Sequence, residues 1–251
     1  MIRKTLIYKT GVEYGDYTLN HVLGCSHGCK YPCYAFMMAK RFGKVKTYDD
    51  WTHPVIVENA IDLLDKELPR FRDKIDTLHL CFTTDPFMYG HDDIASLSYQ
   101  ILEKANSQGV RCSILTKGIL PRNLTNLPLD NEYGITVVSL NEHFIHEFEP
   151  GAAPIQDRIA SLRVLSDAGK RTWVSIEPYP TPNIIQQDLA EILAAVGFVD
   201  KIIFGRLHYN KASTAFIEHK AFYNACAAQV IDFCHANQIA YHIKNGTITE
   251  G

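Results

Sequence analysis

The 251-residue sequence lacks long uninterrupted apolar runs and low-complexity tracts. No stretch approaches the roughly 18 apolar residues that a membrane-spanning helix requires, and the first ten residues lack the apolar centre of a secretory signal. Long runs of like charge, which are typical of disordered tails, are also missing. We therefore expect a folded, cytoplasmic protein with no membrane partner.

The sequence also has little net charge and no even-numbered set of cysteines. Its 25 Lys and Arg residues nearly balance 28 Asp and Glu residues, so the net charge is -3. This total neither indicates nor excludes nucleic acid as a partner. Seven cysteines in a chain without a predicted export signal favour metal ligation and buried thiols over a disulfide framework.

Short β-like segments alternate with longer helical segments from about residue 17 onward. The predicted strands are 17–24, 75–82, 111–115, 134–140, 172–176 and 201–204, with a closing strand at 239–243. The predicted helices lie near 55–68, 93–107, 155–168, 184–196 and 216–236, with a shorter turn near 121–127. This alternation predicts an α/β domain with a parallel sheet, outer helices and chemistry at the carboxyl ends of the strands.

Three cysteines follow the first predicted strand within nine residues: Cys25, Cys29 and Cys33. Neighbouring glycines allow such a loop to curl around a metal centre, because glycine adopts backbone conformations that other residues resist. Three thiolates would leave one iron of a four-iron cluster open to a small molecule. The alternatives are buried structural thiols, a zinc site with His27 as fourth ligand, and an electron-transfer cluster.

The loop resembles the signature of the radical S-adenosylmethionine superfamily, and its flanks resemble the spore photoproduct lyase-like branch. In that signature, three residues separate the first two cysteines and two separate the last two. Here both gaps contain three residues, giving CxxxCxxxC, and Pro32 is the additional residue. The resemblance implies a [4Fe-4S] cluster on the three cysteines, with Tyr31 and Tyr34 beside bound S-adenosylmethionine. It also implies a partial (β/α)6 TIM-type barrel with parallel strands, as one domain over 1–251 in which 205–251 is a C-terminal elaboration.

Polar motifs after later strands resemble the same branch. They assign Thr83, Thr84 and Asp85 to the methionine amino group and Lys117 to the methionine carboxylate. A helix-capping turn and a solvated lysine are the ordinary alternatives.

Further cofactor-binding residues are implied by the segments that follow. Ser139 and Asn141 form a Ser-x-Asn pair that we expect on one strand face. Arg158 and Glu177 belong to the longer match over 148–178, although a helix-surface salt bridge is the alternative for Arg158.

Cys81 is the predicted catalytic residue, because spore photoproduct lyases carry a hydrogen-donating cysteine in this region. Here it precedes Asp85 by four residues rather than three, which on a strand turns its side chain to the opposite face. A buried core thiol is therefore the alternative for Cys81.

The resemblance implies reductive cleavage of S-adenosylmethionine to a 5'-deoxyadenosyl radical, which abstracts hydrogen from an unknown substrate. It also implies an external one-electron donor such as flavodoxin or ferredoxin, and it makes a nucleic acid substrate possible by analogy. The alternatives are a non-catalytic iron-sulfur or zinc protein and an enzyme that modifies peptide or tRNA rather than repairing DNA.

Overall fold

A computed structural model describes residues 1–128 and 130–249, so positions 250–251 of the predicted C-terminal elaboration lie outside it. The strands are β1 (Ile7–Lys9), β2 (Tyr17–Leu19), β3 (Val22–Leu23), β4 (Val55–Ile56), β5 (Leu78–Leu80), β6 (Cys112–Thr116), β7 (Glu132–Thr136), β8 (Arg171–Tyr179), β9 (Lys201–Arg206) and β10 (Ala240–Ile243). The helices are α1 (Tyr34–Arg41), α2 (Tyr48–Thr52), α3 (Ala60–Phe71), α4 (Asp92–Ser107), α5 (Glu142–Phe148), α6 (Ile155–Asp167), α7 (Leu189–Val196), α8 (Lys211–Ala215) and α9 (His219–Asn237). Two 3-10 turns cover Arg72–Lys74 and Arg122–Asn126.

Eight strands form one mostly parallel sheet, in the order β1-β2-β5-β6-β7-β8-β9-β10. β1 runs antiparallel to β2, and each later pair of neighbours is parallel. The predicted α/β architecture is confirmed. The predicted closing strand is β10, in which Ala240 lies opposite Lys201 of β9.

One face of the central strands is lined by apolar residues and is covered by the outer helices. Ile114 of β6, Ile135 of β7 and Ile202 of β9 are each completely buried. Outer helices present periodic apolar stripes to this sheet, as in α6, where Ile155, Ile159, Leu162 and Leu165 are buried. Burial of these side chains is the main free-energy term that fixes the barrel strands and thus the loops at their carboxyl ends.

Several predicted strands have different bounds in the structure. The predicted strand 17–24 divides after Leu19, and Val22–Leu23 pairs instead with Val55–Ile56 in a separate antiparallel ribbon. β7 ends at Thr136 rather than at residue 140. Val137 and Val138 are apolar and buried like strand residues, but they lie in the loop that follows β7. Conversely, β8 extends to Tyr179 and β9 to Arg206, beyond the predicted ends.

The two edge strands of the sheet, β1 and β10, are joined by side chains of the segment after β1. Nε2 of His242 lies 2.8 Å from a carboxylate oxygen of Glu13, which also accepts a hydrogen bond from the backbone amide of Asn245. Tyr14 packs edge-on against Trp173 and His242. The segment after β1 therefore bridges from one edge of the sheet to the other.

None of the helices in the described residues combines the length and apolar character needed to cross a membrane.

Candidate metal and cofactor site

The three-cysteine loop connects β3 to α1 and is held in a defined shape by backbone contacts. Gly24 has φ +92°, and a Cβ there would stand 2.7 Å from the carbonyl oxygen of Trp51. The amide of Cys25 donates to that same carbonyl at 2.8 Å. At the other end of the loop, Cys33 caps α1, since its Sγ accepts from the amide of Phe36 at 3.5 Å.

A distant segment, 148–153, braces the middle of this loop. The amide of Lys30 donates to the carbonyl of Phe148 at 2.8 Å, and the amide of Gly151 donates to the carbonyl of His27 at 2.9 Å. The two chains approach so closely that a Cβ on Gly151 would stand 2.2 Å from the carbonyl oxygen of Ser26. Glycine is required at 151 by this close approach.

The three thiols line one cavity of about 170 Å³. Predicted cofactor-binding residues share its wall: Thr83, Thr84, Asp85 and Lys117. Burial raises the pKa of all three thiols, that of Cys29 to about 12. Thiolates are thus costly in this cavity unless a cationic centre binds them, as a metal cluster does.

The donor set fits a cluster better than a single zinc ion. Among the described residues, no three His, Cys, Asp or Glu side chains lie close enough to hold one metal ion. The proposed fourth zinc ligand, His27, is occupied: its Nδ1 lies 3.6 Å from Asp85 and its Nε2 accepts from the amide of Tyr89 at 3.5 Å. A four-iron cluster presents separate irons to separate thiolates, which suits three thiols spaced around one cavity.

Asp85 is buried and organises the strand ends around the cavity. Its Oδ1 accepts from Oγ1 of Thr116 at 2.6 Å and from the amide of Phe87 at 2.9 Å, while its Oδ2 accepts from the amide of Lys117 at 2.7 Å. The predicted Thr-Asp-Pro and Thr-Lys motifs are therefore in direct contact.

The two threonines before Asp85 lie on the same wall. Oγ1 of Thr83 donates to Oδ1 of Asn20 at 2.9 Å, and Oγ1 of Thr84 donates to the carbonyl of Val22 at 3.5 Å. Thr83 and Thr84 are thus anchored to the segment that leads from β2 into the cysteine loop.

Lys117 and Arg158 share the buried carboxylate of Glu149. The Lys117 ammonium contacts Oε1, and the Arg158 guanidinium donates to Oε2 at 2.7 Å. Burial alone would raise the pKa of Glu149, but the two cations hold it below its usual range. Glu149 lies within the matched range 148–178, but sequence reasoning did not single it out as the carboxylate that pairs with both cations.

The placement of Arg158 differs from both sequence-based interpretations. Its side chain is completely buried, and its other hydrogen bonds go to the carbonyls of Ala153 and Thr136. It is therefore not part of a helix-surface salt bridge, and it does not line either the thiol cavity or the mouth cavity described below. Arg158 is connected to Lys117 through the carboxylate of Glu149.

Ser139 and Asn141 do not lie on a strand, so the prediction of a shared strand face is wrong. Because β7 ends at Thr136, both residues fall in the loop before α5. Asn141 caps α5 through its Oδ1, which accepts from the amide of Phe144 at 3.1 Å, and Oγ of Ser139 accepts from the amide of Asn141. The Ser-x-Asn motif forms a helix N-cap in this structure.

A larger cavity of about 470 Å³ opens beside the thiols at the barrel mouth. It shares Cys29, Cys33 and Lys117 with the thiol cavity. Its remaining wall comes from distant parts of the chain: Glu13, Tyr31, Pro32, Tyr34, Glu177, Pro178, Arg206, Leu207, His208, Tyr209, Lys244 and Asn245.

The two predicted aromatic residues differ in environment. Tyr31 is buried against Phe144 and Phe148, its hydroxyl has no hydrogen-bond partner within the described residues, and Lys117 lies 5.8 Å over its ring. Tyr34 is 59% exposed at the start of α1. Tyr31 and Tyr34 line the same cavity, with Pro32 between them in the sequence. A ligand that fills the cavity would therefore contact both tyrosines.

Glu177 lies within β8 and pairs with Lys244, whose Nζ is 3.0 Å away. Burial raises the pKa of Glu177, and the nearby Lys244 only partly opposes this shift. Sequence reasoning missed Glu13 in this wall altogether. Lys244 and Asn245, near the end of the chain, also line this wall.

Cys81 lies directly after β5 with φ +64°, and its thiol is 3.4 Å from Nδ1 of His21. Burial raises its pKa to about 12. Neither of the two cavities is lined by Cys81 in the described chain. The alternative interpretation, a buried core thiol, describes this placement.

Comparison by sequence finds relatives without an assigned activity. No protein-family model matches the chain. An uncharacterised protein of Acidianus two-tailed virus is 29% identical over 226 residues, which are 83% of this chain and 73% of the relative. An uncharacterised protein of Mycobacterium tuberculosis is 29% identical over 75% of this chain, but the match spans only 58% of that protein's length.

Comparison by structure identifies the fold. Spore photoproduct lyase complexed with a dinucleoside spore photoproduct matches 97% of this chain and 81% of its own, with a TM-score of 0.65 and 15% identity. A mutant of that enzyme with bound S-adenosylmethionine gives a TM-score of 0.66 at 13% identity, over 96% of this chain and 80% of the mutant. Streptococcus suis SuiB bound to S-adenosylmethionine gives 0.51 at 14% identity, over 75% of this chain and 41% of SuiB. These neighbours are radical S-adenosylmethionine enzymes with TIM-barrel-like folds, so the predicted fold and structural resemblance are confirmed.

Proposed function

We propose that the chain is a radical S-adenosylmethionine enzyme of the spore photoproduct lyase-like branch, with a [4Fe-4S] cluster on Cys25, Cys29 and Cys33. The observation that supports this most directly is the shared cavity of these thiols with Asp85 and Lys117, in the fold of spore photoproduct lyase. When bound, the cluster and S-adenosylmethionine together supply a 5'-deoxyadenosyl radical that abstracts hydrogen from the substrate.

The contribution of the chain is to hold these groups and exclude water from them. The three thiols enter one cavity from a single loop. The backbone of this loop is hydrogen-bonded to Trp51 at Cys25 and to segment 148–153 at His27. This arrangement positions the ligands before the metal arrives. A preformed ligand loop lowers the ordering cost of binding.

The mouth cavity is the proposed cofactor pocket, because it adjoins Cys29 and Cys33. Lys117 offers an ammonium group to the methionine carboxylate, and Glu149 fixes the position of that ammonium. Thr83, Thr84 and Asp85 line the adjoining thiol cavity and offer oxygen acceptors to the methionine amino group from that side. Tyr31 and Tyr34 offer aromatic surface to the adenine ring.

Anaerobic reconstitution with iron and sulfide tests the proposal. We expect about four irons per chain and formation of 5'-deoxyadenosine when dithionite and S-adenosylmethionine are added. Replacing Cys25, Cys29 or Cys33 singly with alanine should abolish 5'-deoxyadenosine formation and reduce the iron content.

Cys226→Ala is the matched control, because this cysteine lies on α9 and lines neither cavity. It should retain both iron and product formation. A tetrahedral zinc centre without 5'-deoxyadenosine would instead support the non-catalytic alternative.

A further inference from the structure

Positive charge is concentrated in the first 46 residues, which include the cysteine loop and α1. This part contains eight Lys and Arg residues but only two Asp and Glu residues. The remaining 205 residues contain 17 Lys and Arg residues against 26 Asp and Glu residues. The nearly neutral total therefore conceals two parts of opposite sign.

Five of these cations define what we call the N-terminal basic face: Arg3, Lys4, Lys40, Arg41 and Lys44. Lys40 and Arg41 occupy the last turn of α1, and both are exposed. Arg3, Lys4 and Lys44 line one open cavity of about 390 Å³. In the part of the chain that the structure describes, none of the five has a carboxylate within 4.0 Å.

Exposed apolar side chains lie among these cations. Phe42 is 66% exposed directly after α1, Ile2 is 68% exposed at the start of the chain, and Tyr8 is 43% exposed on β1. Apolar and aromatic side chains within a polar, charged rim are typical of a protein interface. The unpaired cations provide electrostatic complementarity toward an acidic partner.

The basic face is connected to the thiols in two ways. α1 begins directly after Cys33 and has only eight residues, so it is about 12 Å long. A cavity of about 500 Å³ that is lined by Arg3, Phe42 and Lys44 also shares Ala35 with the thiol cavity. A partner on this face would therefore sit within one short helix of the metal site.

We propose that an acidic one-electron carrier protein docks on the N-terminal basic face and reduces the cluster from there. This inference rests on the proposed function. In the transfer, the carrier's reduced flavin or iron-sulfur centre loses one electron and the cluster gains it, with no bond made or broken.

Binding of purified flavodoxin tests this proposal without relying on catalysis. The charge-reversed variant combines Lys40→Glu, Arg41→Glu and Lys44→Glu. We expect its dissociation constant, measured by calorimetry at low ionic strength, to rise at least about tenfold, because the variant replaces three cations near the proposed docking site with three carboxylates. High salt should remove most of the difference by screening.

The matched control combines Lys66→Glu, Arg70→Glu and Lys74→Glu, three exposed cations on α3 and the following turn. It changes the charge of the protein equally but away from α1, so flavodoxin affinity should change less than about threefold. A second variant with Gln at 40, 41 and 44 should give an intermediate loss. Circular dichroism of each variant establishes that it is folded.

The outcomes separate docking from the proposed function. Dithionite-driven 5'-deoxyadenosine formation should be equal in the charge-reversed variant and the wild type, while flavodoxin-driven formation falls in the variant alone. Unchanged flavodoxin affinity in that variant would overturn the docking proposal. Loss of affinity for a single-stranded oligonucleotide, with flavodoxin binding unaffected, would also overturn it and assign the face to nucleic acid. Absence of 5'-deoxyadenosine from the wild type with dithionite would refute the proposed function instead.

Discussion

The two walls of the site are built from opposite kinds of interaction. On the thiol side, Glu149 is buried between Lys117 and Arg158, and backbone hydrogen bonds fix the cysteine loop. On the mouth side, Glu177 and Lys244 form a half-buried ion pair between segments distant in the chain. A carboxylate that is shielded from water and paired with two cations is held in one geometry, whereas a single ion pair at the edge of a cavity exchanges with water at lower cost. The thiol wall is therefore the more rigid of the two, and the mouth wall is the more adaptable.

The largest expected effect comes from Glu149→Ala, which leaves Arg158 buried without its carboxylate. We expect the free energy of unfolding in urea to fall by about 3–5 kcal/mol, the usual result of breaking a buried charge pair. Glu177→Ala is the matched change on the other wall and should cost less than about 1 kcal/mol. Equal losses in the two variants would remove the distinction between the walls.

An intermediate effect is expected from Gly151→Ala, which tests the brace on the cysteine loop. The new methyl group would lie 2.2 Å from the carbonyl of Ser26, so the loop or segment 148–153 must move. We expect a loss of about 1–3 kcal/mol in unfolding free energy and a lower iron content after reconstitution.

Gly11→Ala is the control for this substitution, since nothing lies within 4 Å of the added Cβ at that position. It should leave both stability and iron content close to the wild type. Full iron binding by Gly151→Ala would show that the brace does not shape the ligand loop.

The smallest expected effect is a difference in pH dependence between Glu149→Gln and Glu177→Gln. The pKa of Glu149 is lowered, so its ionised form adds stability above its ordinary pKa of 4.5, and this contribution is lost as the pH falls through the lowered value. The pKa of Glu177 is raised, so its contribution is present below 4.5 and is lost as the pH rises through the raised value.

Urea midpoints measured from about pH 3 to about pH 8 should therefore change in opposite directions. The stability advantage of the wild type over Glu149→Gln should shrink at low pH. Its advantage over Glu177→Gln should shrink at high pH. Parallel curves for the two variants would contradict the contrast between the walls.

Much of the fold was accessible from sequence because burial along parallel strands and outer helices is periodic. The alternation of elements identified the parallel strands β2 and β5 to β10, and the stripe Ile155, Ile159, Leu162 and Leu165 identified α6. Strand ends were less accessible. Val137 and Val138 are buried like strand residues, and the amide of Val137 still donates to the carbonyl of Ser175, so local sequence does not reveal that β7 ends at Thr136.

Composition and spacing alone placed Cys25, Cys29 and Cys33 on one loop and Asp85 and Lys117 after successive strands. Tertiary structure decided which of these side chains contact one another and which oppositely charged group neutralises each charge. Lys117 and its partner Glu149 are 32 residues apart, and Glu13 and His242 are 229 residues apart. A local pattern records whether a side chain is buried, but the partner of a buried charge depends on which segments pack together.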